Sequence, residues 1–368
     1  MAKSRNRRLV LFLVVALFLV VALVLAALLY WQRGPIALRL VENGVDRITA
    51  NADPIAALPD GLHVGICGAG SPMTDAHRAG PCTVVIAGSR MFVFDAGGGA
   101  AARLLRMELN PAQIEAIFLT HYHSDHIDGL GELLMQRWVG AAATQPPRVF
   151  GPTGLNGVVN GFGEAYRLDQ SYRTGHHGEQ LAPPSGFGAD PREFDIESPA
   201  GRLVLIDEDL LQIVAFTVDH GPVAPAVGYR IRYKDRTIVI SGDTRRSQNV
   251  ERESKNVDLL LHEALSMKLV QILENGFDRH GRSRYAQIMR DIRNYHSSPE
   301  DAASVAEAAS VKRLVLHHIV PPLPLEALKP EFVGKAPAIF SGPIDVARDG
   351  DWYSLPAGDD SITVSRRP

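Results

Sequence analysis

The sequence predicts an α/β sandwich preceded by one N-terminal membrane-spanning helix, and three observations carry that prediction. Residues 9–31 form a run of 23 without a single charge. At about 1.5 Å per residue, such a helix reaches across a bilayer core of about 30 Å. Beyond residue 60, short β-like runs broken by Gly, Ser and Pro are mixed with helical stretches, the pattern of a layered α/β domain. Five of the apolar runs stop at a metal-type or acid–base residue: IFLTH at His121, FTVDH at His220, IVISGD at Asp243, LLLHE at Glu263 and LVLHH at His318. Apolar strands are buried and their ends share a sheet edge, so these five side chains are expected to converge although they are far apart in sequence.

Taking the chain in order, Lys3, Arg5, Arg7 and Arg8 precede the apolar run and only Arg33 follows it closely. This asymmetry places the N-terminus in the cytoplasm and residues from 34 onward on the other side. A cleaved signal peptide is the alternative. Tyr30 and Trp31 read as an interfacial anchor, and Ala26 and Ala27 offer only weak small-residue material for cleavage. The organisation expected is a basic tail and anchor (1–33), a linker (34–58), a folded domain (59–358) and a C-terminal tail (359–368). At 368 residues, 46% hydrophobic and 21% charged, the chain can bury a large core. The formal charge is −3; with five basic and no acidic side chains in residues 1–33, the remainder carries −8. An acidic exported domain argues against a nucleic-acid partner. Cys67 and Cys82 either form a disulfide, as an oxidising compartment permits, or are two buried thiols.

Segments 62–67, 82–87 and 91–94 read as strands, 111–115 as a helical turn, 116–119 as a buried strand and 149–151 as a strand end. Residues 165–195, rich in Gly, Pro, His and Asp, read as a long excursion. Residues 211–218, 237–240, 257–261 and 313–316 read as strands. Ser298 is positioned to cap a helix that begins at Pro299, carries Glu300 and Asp301 in its first turn and runs to about residue 311.

In the segment H-x-H-x-D-H, His121, His123, Asp125 and His126 sit on one tight turn. Imidazole nitrogens suit zinc, and a carboxylate adds a harder, charged ligand. His121 and His123, two apart in an extended segment, face the same side. Asp125 and His126 follow on the turn and can face a second ion. Asp243 follows Gly242, which lets the backbone approach closely. Asp95 either supports a histidine ligand or caps a turn, and Asp128 is expected to close the His-rich loop. His176 and His177 read as exposed loop residues.

These motifs together resemble the metallo-β-lactamase superfamily, αββα sandwiches that are mostly two-metal hydrolases; the likeness spans roughly residues 60–356. It implies His121, His123 and His220 on one metal, Asp125, His126 and His318 on the other, and Asp243 between them, with His317 competing with His318. The segments GAGS (68–71), FDAG (94–97), SGDT (241–244), DLLLHEA (258–264) and YHSSPEDAASVAEAA (295–309) resemble the tRNase Z-like branch. There, Glu263 and His296 correspond to a proton-handling pair. HIVPP (318–322) and the YRTGHHG insertion (172–178) look more like the arylsulfatases of this superfamily, and no long basic, Gly-rich arm is visible.

The resemblance implies two divalent metal ions, zinc foremost, and a metal-bridging hydroxide, with Asp125, Glu263 and His296 as catalytic side chains. The expected substrate is a small sulfate or phosphodiester ester. The alternatives are 3′ processing of tRNA, or acyl hydrolysis of a lactone or β-lactam. A scaffold on a decayed hydrolase fold is opposed by the intact ligand set.

Overall fold

The computed structural model describes residues 2–49, 53–198 and 201–368. It divides into two compact units, Met1–Ala57 and Leu58–Pro368. The first is dominated by helix α1 (Ala2–Thr49). Within it, Asn6–Asp46 is long and apolar enough to cross a membrane, and its apolar side chains from Leu9 to Leu29 are exposed. The linker expected at 34–58 is therefore helical as far as Thr49, continuing through Pro35 on the good helix formers that follow it, while residues 50–52 lie outside the described residues.

The second unit is a two-sheet sandwich. In chain order the first sheet contains β1 (Gly61–Gly68), β2 (Cys82–Ala87), β3 (Arg90–Phe94), β4 (Ile114–Phe118), β5 (Arg148–Pro152) and β6 (Asp190–Phe194). The second contains β7 (Arg202–Asp207), β8 (Leu211–Thr217), β9 (Val227–Tyr233), β10 (Arg236–Ile240), β11 (Leu259–Leu265), β12 (Arg313–Val320) and β13 (Ile344–Val346). The chain then returns to the first sheet with β14 (Asp351–Pro356) and β15 (Thr363–Arg366), giving the orders 15-14-1-2-3-4-5-6 and 13-12-11-10-9-8-7.

Apolar residues of both sheets meet between the layers, where Phe118 stacks on Phe94 and on Phe150 with ring centroids 4.8 Å apart in each pair. A second core lies between β10–β12 and the Ser298-capped helix, which contributes Ala302, Ala303, Val305 and Ala306. Strands β10, β11 and β12 are mutually parallel, and β3, β4 and β5 likewise, so the C-terminal ends within each set share one edge. The phenol of Tyr229 on β9 donates to Leu119 O at 2.5 Å, tying the second sheet to the end of β4.

Helices α2 (Ala100–Arg106), α3 (Ser124–Ile127), α4 (Leu130–Ala141) and α5 (Leu155–His177) accompany the first sheet. Helix α5 and β6 replace most of the excursion expected at 165–195. Their glycines and prolines suggest a loop, but Leu155 and Val159 are buried and anchor the helix. His176 and His177 are exposed in its last turn. Between strands of the second sheet lie α6 (Gln248–Glu253), α7 (Met267–Arg279), α8 (Ser283–Ile292) and α9 (Pro299–Ala308). Ser298 caps α9 in a reciprocal box with Asp301, and the helix ends at Ala308, short of 311. The tail expected at 359–368 is not free of the domain. Its strand β15 pairs antiparallel with β14 through the backbone while all four of its side chains stay exposed, leaving no alternation for the sequence to display. Cys67 and Cys82 are joined as a disulfide across Cα atoms 4.9 Å apart.

Candidate metal centre

The parallel strand ends deliver the polar side chains to one place. His121 leaves the end of β4. His123 lies immediately before α3, whose single turn carries Asp125 and His126. The bond that closes this turn comes from the backbone, Asp128 N–H to Ser124 O at 2.7 Å. His220 follows β8, Asp243 follows β10, and Glu263 and His318 lie within β11 and β12, which run further than their apolar stretches suggest.

The seven predicted ligands form two groups. In the first, His121 Nε2 is 3.0 Å from His123 Nδ1, which is 3.5 Å from His220 Nε2. Asp243 Oδ2 lies 3.9 Å from the Nε2 atoms of His121 and His220. In the second, Asp125 Oδ2 is 3.2 Å from His318 Nε2 and 3.6 Å from His126 Nε2. The same Asp243 oxygen is 3.3 Å from the Nε2 atoms of His126 and His318, so Asp243 faces both groups.

Local backbone chemistry explains the convergence. Gly242 has φ +63°, and a Cβ there would sit 2.5 Å from Val227 O, so only glycine brings Asp243 this close. His318 adopts φ +47°, a conformation that L residues avoid unless surrounding packing imposes it. The turn aims His318, rather than His317, at Asp125. His317 is buried beside the site with neither ring nitrogen bonded, and burial pushes its pKa down to about 3.

Asp95, also at positive φ, accepts from Thr120 N at 2.8 Å through Oδ1 and meets His126 Nδ1 at 2.8 Å through Oδ2. It therefore fixes His126 with Nε2 turned to Asp243. The Nδ1 of His220 is held at 2.9 Å from Tyr295 O. The sequence reading missed Thr120 and Tyr295, whose contacts are backbone-mediated or long-range and leave no motif.

The electrostatics suit divalent cations. Burial holds His121, His123 and His220 below the usual histidine range, in the neutral form that coordinates. Burial raises the Asp243 carboxyl, but His318 and His126 outweigh it and hold the group well below its usual range. The Nε2 of His126 is buried without a hydrogen-bond partner. Imidazole lone pairs that converge on one another and on carboxylates are poorly satisfied by protons and well satisfied by metal ions.

Beside the second group, His296 Nδ1 lies 3.1 Å from Glu263 Oε1, which also accepts from Ser297 N at 2.8 Å. Burial lowers the His296 pKa, but the Glu263 carboxylate prevails and raises it above the ordinary value. An open cleft of about 630 Å³ fronts the site; its floor is His123, Asp125, Asp243, His296 and His318, and its wall is largely apolar.

Residues 77–294 match the metallo-β-lactamase superfamily. The chain belongs to that superfamily. This metallo-β-lactamase-fold protein is a metal-dependent hydrolase with clusters suited to divalent metal ions. It is 36% identical to ribonuclease Z of Mycobacterium sp. (strain KMS) over 263 residues, covering 71% of this chain and 85% of that one. It is 32% identical to ribonuclease Z of Mycolicibacterium paratuberculosis over 290 residues, covering 78% and 96%. In fold it is similar to the short form of human tRNase Z, with TM-score 0.58 and 22% identity over 80% of this chain and 99% of that one.

These relatives correct two expectations. The acidic exported part, the anchor and the missing arm argue against a nucleic-acid partner, and HIVPP with the 172–178 insertion argues for a small ester. Relatives named ribonuclease Z overturn the first expectation and favour the tRNase Z-like alternative over the second. Net charge is a surface average and is a poor guide to the local field at a cleft.

Proposed function

We propose that this protein is a membrane-tethered ribonuclease that hydrolyses RNA phosphodiesters with two divalent metal ions. The observation that carries the reading is the Glu263–His296 pair, 3.1 Å apart, whose His296 lines the same cleft as members of both donor groups. Its support from outside the chain is the 36% identity to ribonuclease Z.

In this reading His121, His123 and His220 hold one ion and Asp125, His126 and His318 the other, with Asp243 shared. Zinc is the ion that a His-rich, Asp-completed donor set suits best. Bound there, the two ions would supply a water of lowered pKa and Lewis acidity at the phosphoryl oxygens. The protein's own side chains do the rest. Asp95 keeps a proton on His126 Nδ1 and leaves Nε2 free to coordinate. Glu263 holds His296 through Nδ1, so its other ring nitrogen can give a proton to the departing ribose oxygen. Glu263 also favours the charged form of His296, which has that proton to give.

Helix α1 tethers the catalytic unit. Its basic N-terminal flank favours a unit on the extracytoplasmic side, and the Cys67–Cys82 disulfide fits an oxidising compartment.

The test is turnover by the full chain in detergent, loaded with zinc. A structured RNA with a single-stranded 3′ end, bis(4-nitrophenyl) phosphate and 4-nitrophenyl sulfate are compared, each with and without chelator. Chelator-sensitive cleavage of the RNA is expected. Efficient sulfate hydrolysis with the RNA left intact would sink the ribonuclease reading. Thiol-reagent and protease accessibility in intact cells reads the side of the membrane.

A further inference from the structure

Between Glu263 and His296 the chain makes a helical hairpin, α7 and α8, whose role the catalytic chemistry does not use. It is rooted at the strand ends that carry the site. Val270 of α7 and Met289 of α8 pack with Leu265 at the end of β11 and Val320 at the end of β12. Its inner face, with Phe277, Tyr285, Ile288 and Met289, forms the apolar wall of the cleft.

The charges on the hairpin are sorted. Two of its three acids are held by its own cations: Glu274 pairs with Arg290 at 3.1 Å and also with Arg293, and Asp278 pairs with Arg290 at 3.2 Å, while Asp291 accepts from Gln287 Nε2 at 2.7 Å. At the tip, DRHGRSRY brings Arg279, Arg282 and Arg284 together, all exposed, and none has an acidic partner within 4.0 Å among the described residues. The turn is tightened by Arg282 N–H donating to Phe277 O at 2.9 Å. Tyr285, 55% exposed, stacks on Phe277 with centroids 5.3 Å apart. The stacked pair lines the reaction cleft, and Arg279 and Arg282 line an adjoining groove in which Phe277 takes part.

We infer that the α7–α8 tip is an RNA-binding arm, in which Arg279, Arg282 and Arg284 contact backbone phosphates while Tyr285 offers a ring face to an unpaired base at the cleft mouth. The inference rests on the ribonuclease reading and adds to it where the substrate enters. Arginine pairs with phosphate through a planar fork, and exposed aromatic rings stack on unpaired bases regardless of sequence. An anionic membrane surface also attracts arginines. RNA is favoured because the ring pair lines the cleft that holds the reacting groups, while Arg279 and Arg282 line an adjoining groove that shares Phe277 with it and Arg284 precedes Tyr285 in the chain, so a strand entering the cleft passes the tip.

The test uses the full chain in uncharged phosphatidylcholine nanodiscs and the variant R279Q/R282Q/R284Q. Binding of a fluorescent RNA hairpin with a single-stranded 3′ end is measured by anisotropy as a function of salt, beside RNA cleavage. Hydrolysis of bis(4-nitrophenyl) phosphate, which spans only the cleft floor, reads whether the variant is folded. Losing three phosphate contacts should flatten the slope of log K against log salt by about 2 and weaken RNA binding roughly ten- to hundred-fold at low salt. KM for RNA should rise in step, more than kcat falls. RNA binding with unchanged affinity and slope in a folded variant, or no RNA binding by the parent chain, would overturn the inference. Tip-dependent RNA binding without cleavage would uphold the arm and sink the ribonuclease reading. Loss of binding only to vesicles containing phosphatidylglycerol, with RNA affinity kept, would reassign the tip to a lipid surface.

Discussion

Replacing Asp95 with Asn tests the site through a residue that the proposal does not make a ligand. Asp95 is buried and uses both carboxylate oxygens: Oδ1 takes Thr120 N–H at 2.8 Å, and Oδ2 holds His126 Nδ1 at 2.8 Å. Asn has the same shape but only one acceptor oxygen. If that oxygen faces Thr120, an amide N–H₂ faces Nδ1, which must then accept, and the ring proton moves to Nε2, the atom aimed at Asp243. If the amide flips, two N–H groups confront each other at Thr120. The flip loses a buried polar partner, at a cost of about 1–3 kcal/mol, so the first orientation is favoured; it keeps both bonds, and its cost is the coordinating lone pair of Nε2. In the first orientation that cost falls on metal affinity, where loss of such a supporting group typically weakens binding about 10- to 100-fold. The weakening should fall chiefly on the ion held by Asp125, His126 and His318, because His126 meets Asp95 directly whereas His121 meets it only through Thr120 Oγ1, 2.9 Å from Asp95 Oδ2 and 3.1 Å from His121 Nδ1. Competitive titration with a zinc chelator should resolve one site shifted strongly and the other little. Two unshifted sites in a folded D95N protein, or two shifted equally, would refute the assignment of Asp95 to His126.

Asp243→Asn removes the charge facing both groups, so metal analysis should find both ions depleted and turnover lost; one tightly held ion and full activity would contradict the shared role. His296→Gln should slow cleavage of RNA, whose alkoxide leaving group needs a proton, by about 10²–10⁴. It should slow bis(4-nitrophenyl) phosphate far less, because 4-nitrophenolate leaves unaided; equal losses on the two substrates would exclude proton donation. Away from the site, the Glu115 carboxyl is held below its ordinary value of 4.5, chiefly by Arg90 and further by Arg148. A lowered carboxyl pKa adds stability that is present above the unfolded-state value and lost as pH falls through the folded-state value. Glu115→Gln should therefore cost about 1 kcal/mol at pH 7, with the difference from the parent shrinking below about pH 4.5 in thermal melts; a pH-independent difference would contradict the ion-pair origin.

The centre was legible because its information is concentrated. H-x-H-x-D-H after an apolar run, and three later runs ending in Asp or His, are enough to say that side chains from separate strands should meet. The choice between His317 and His318 was harder, since both lie in one strand. A positive φ at His318 turns its ring toward Asp125, and no propensity scale places a histidine there. The long helix α5 was hidden by its glycines, and β15 by its wholly exposed side chains, because both owe their place to tertiary contacts. The acidic total misled about the partner for a related reason. Most acids on the hairpin are spent in pairs with Arg290 and Arg293, which leaves three arginines whose field the sum conceals.

The Glu263–His296 bond joins residues 33 apart in sequence. Closing such a loop with slack chain would oppose the bond, and a hydrogen bond contributes only about 1–3 kcal/mol even when charged. The intervening chain is not slack. It is two amphipathic helices packed on Leu265 and Val320, the residues that follow Glu263 in β11 and His318 in β12 by two positions each. The apolar packing that raises the cleft wall therefore also fixes where α8 ends, and with it the position from which His296 reaches Glu263. On the proposed reading, one hairpin sets both the geometry of the proton donor and the surface that an incoming strand meets first. A change in substrate through the tip residues can proceed without disturbing the donor only while the Val270–Met289 core is kept.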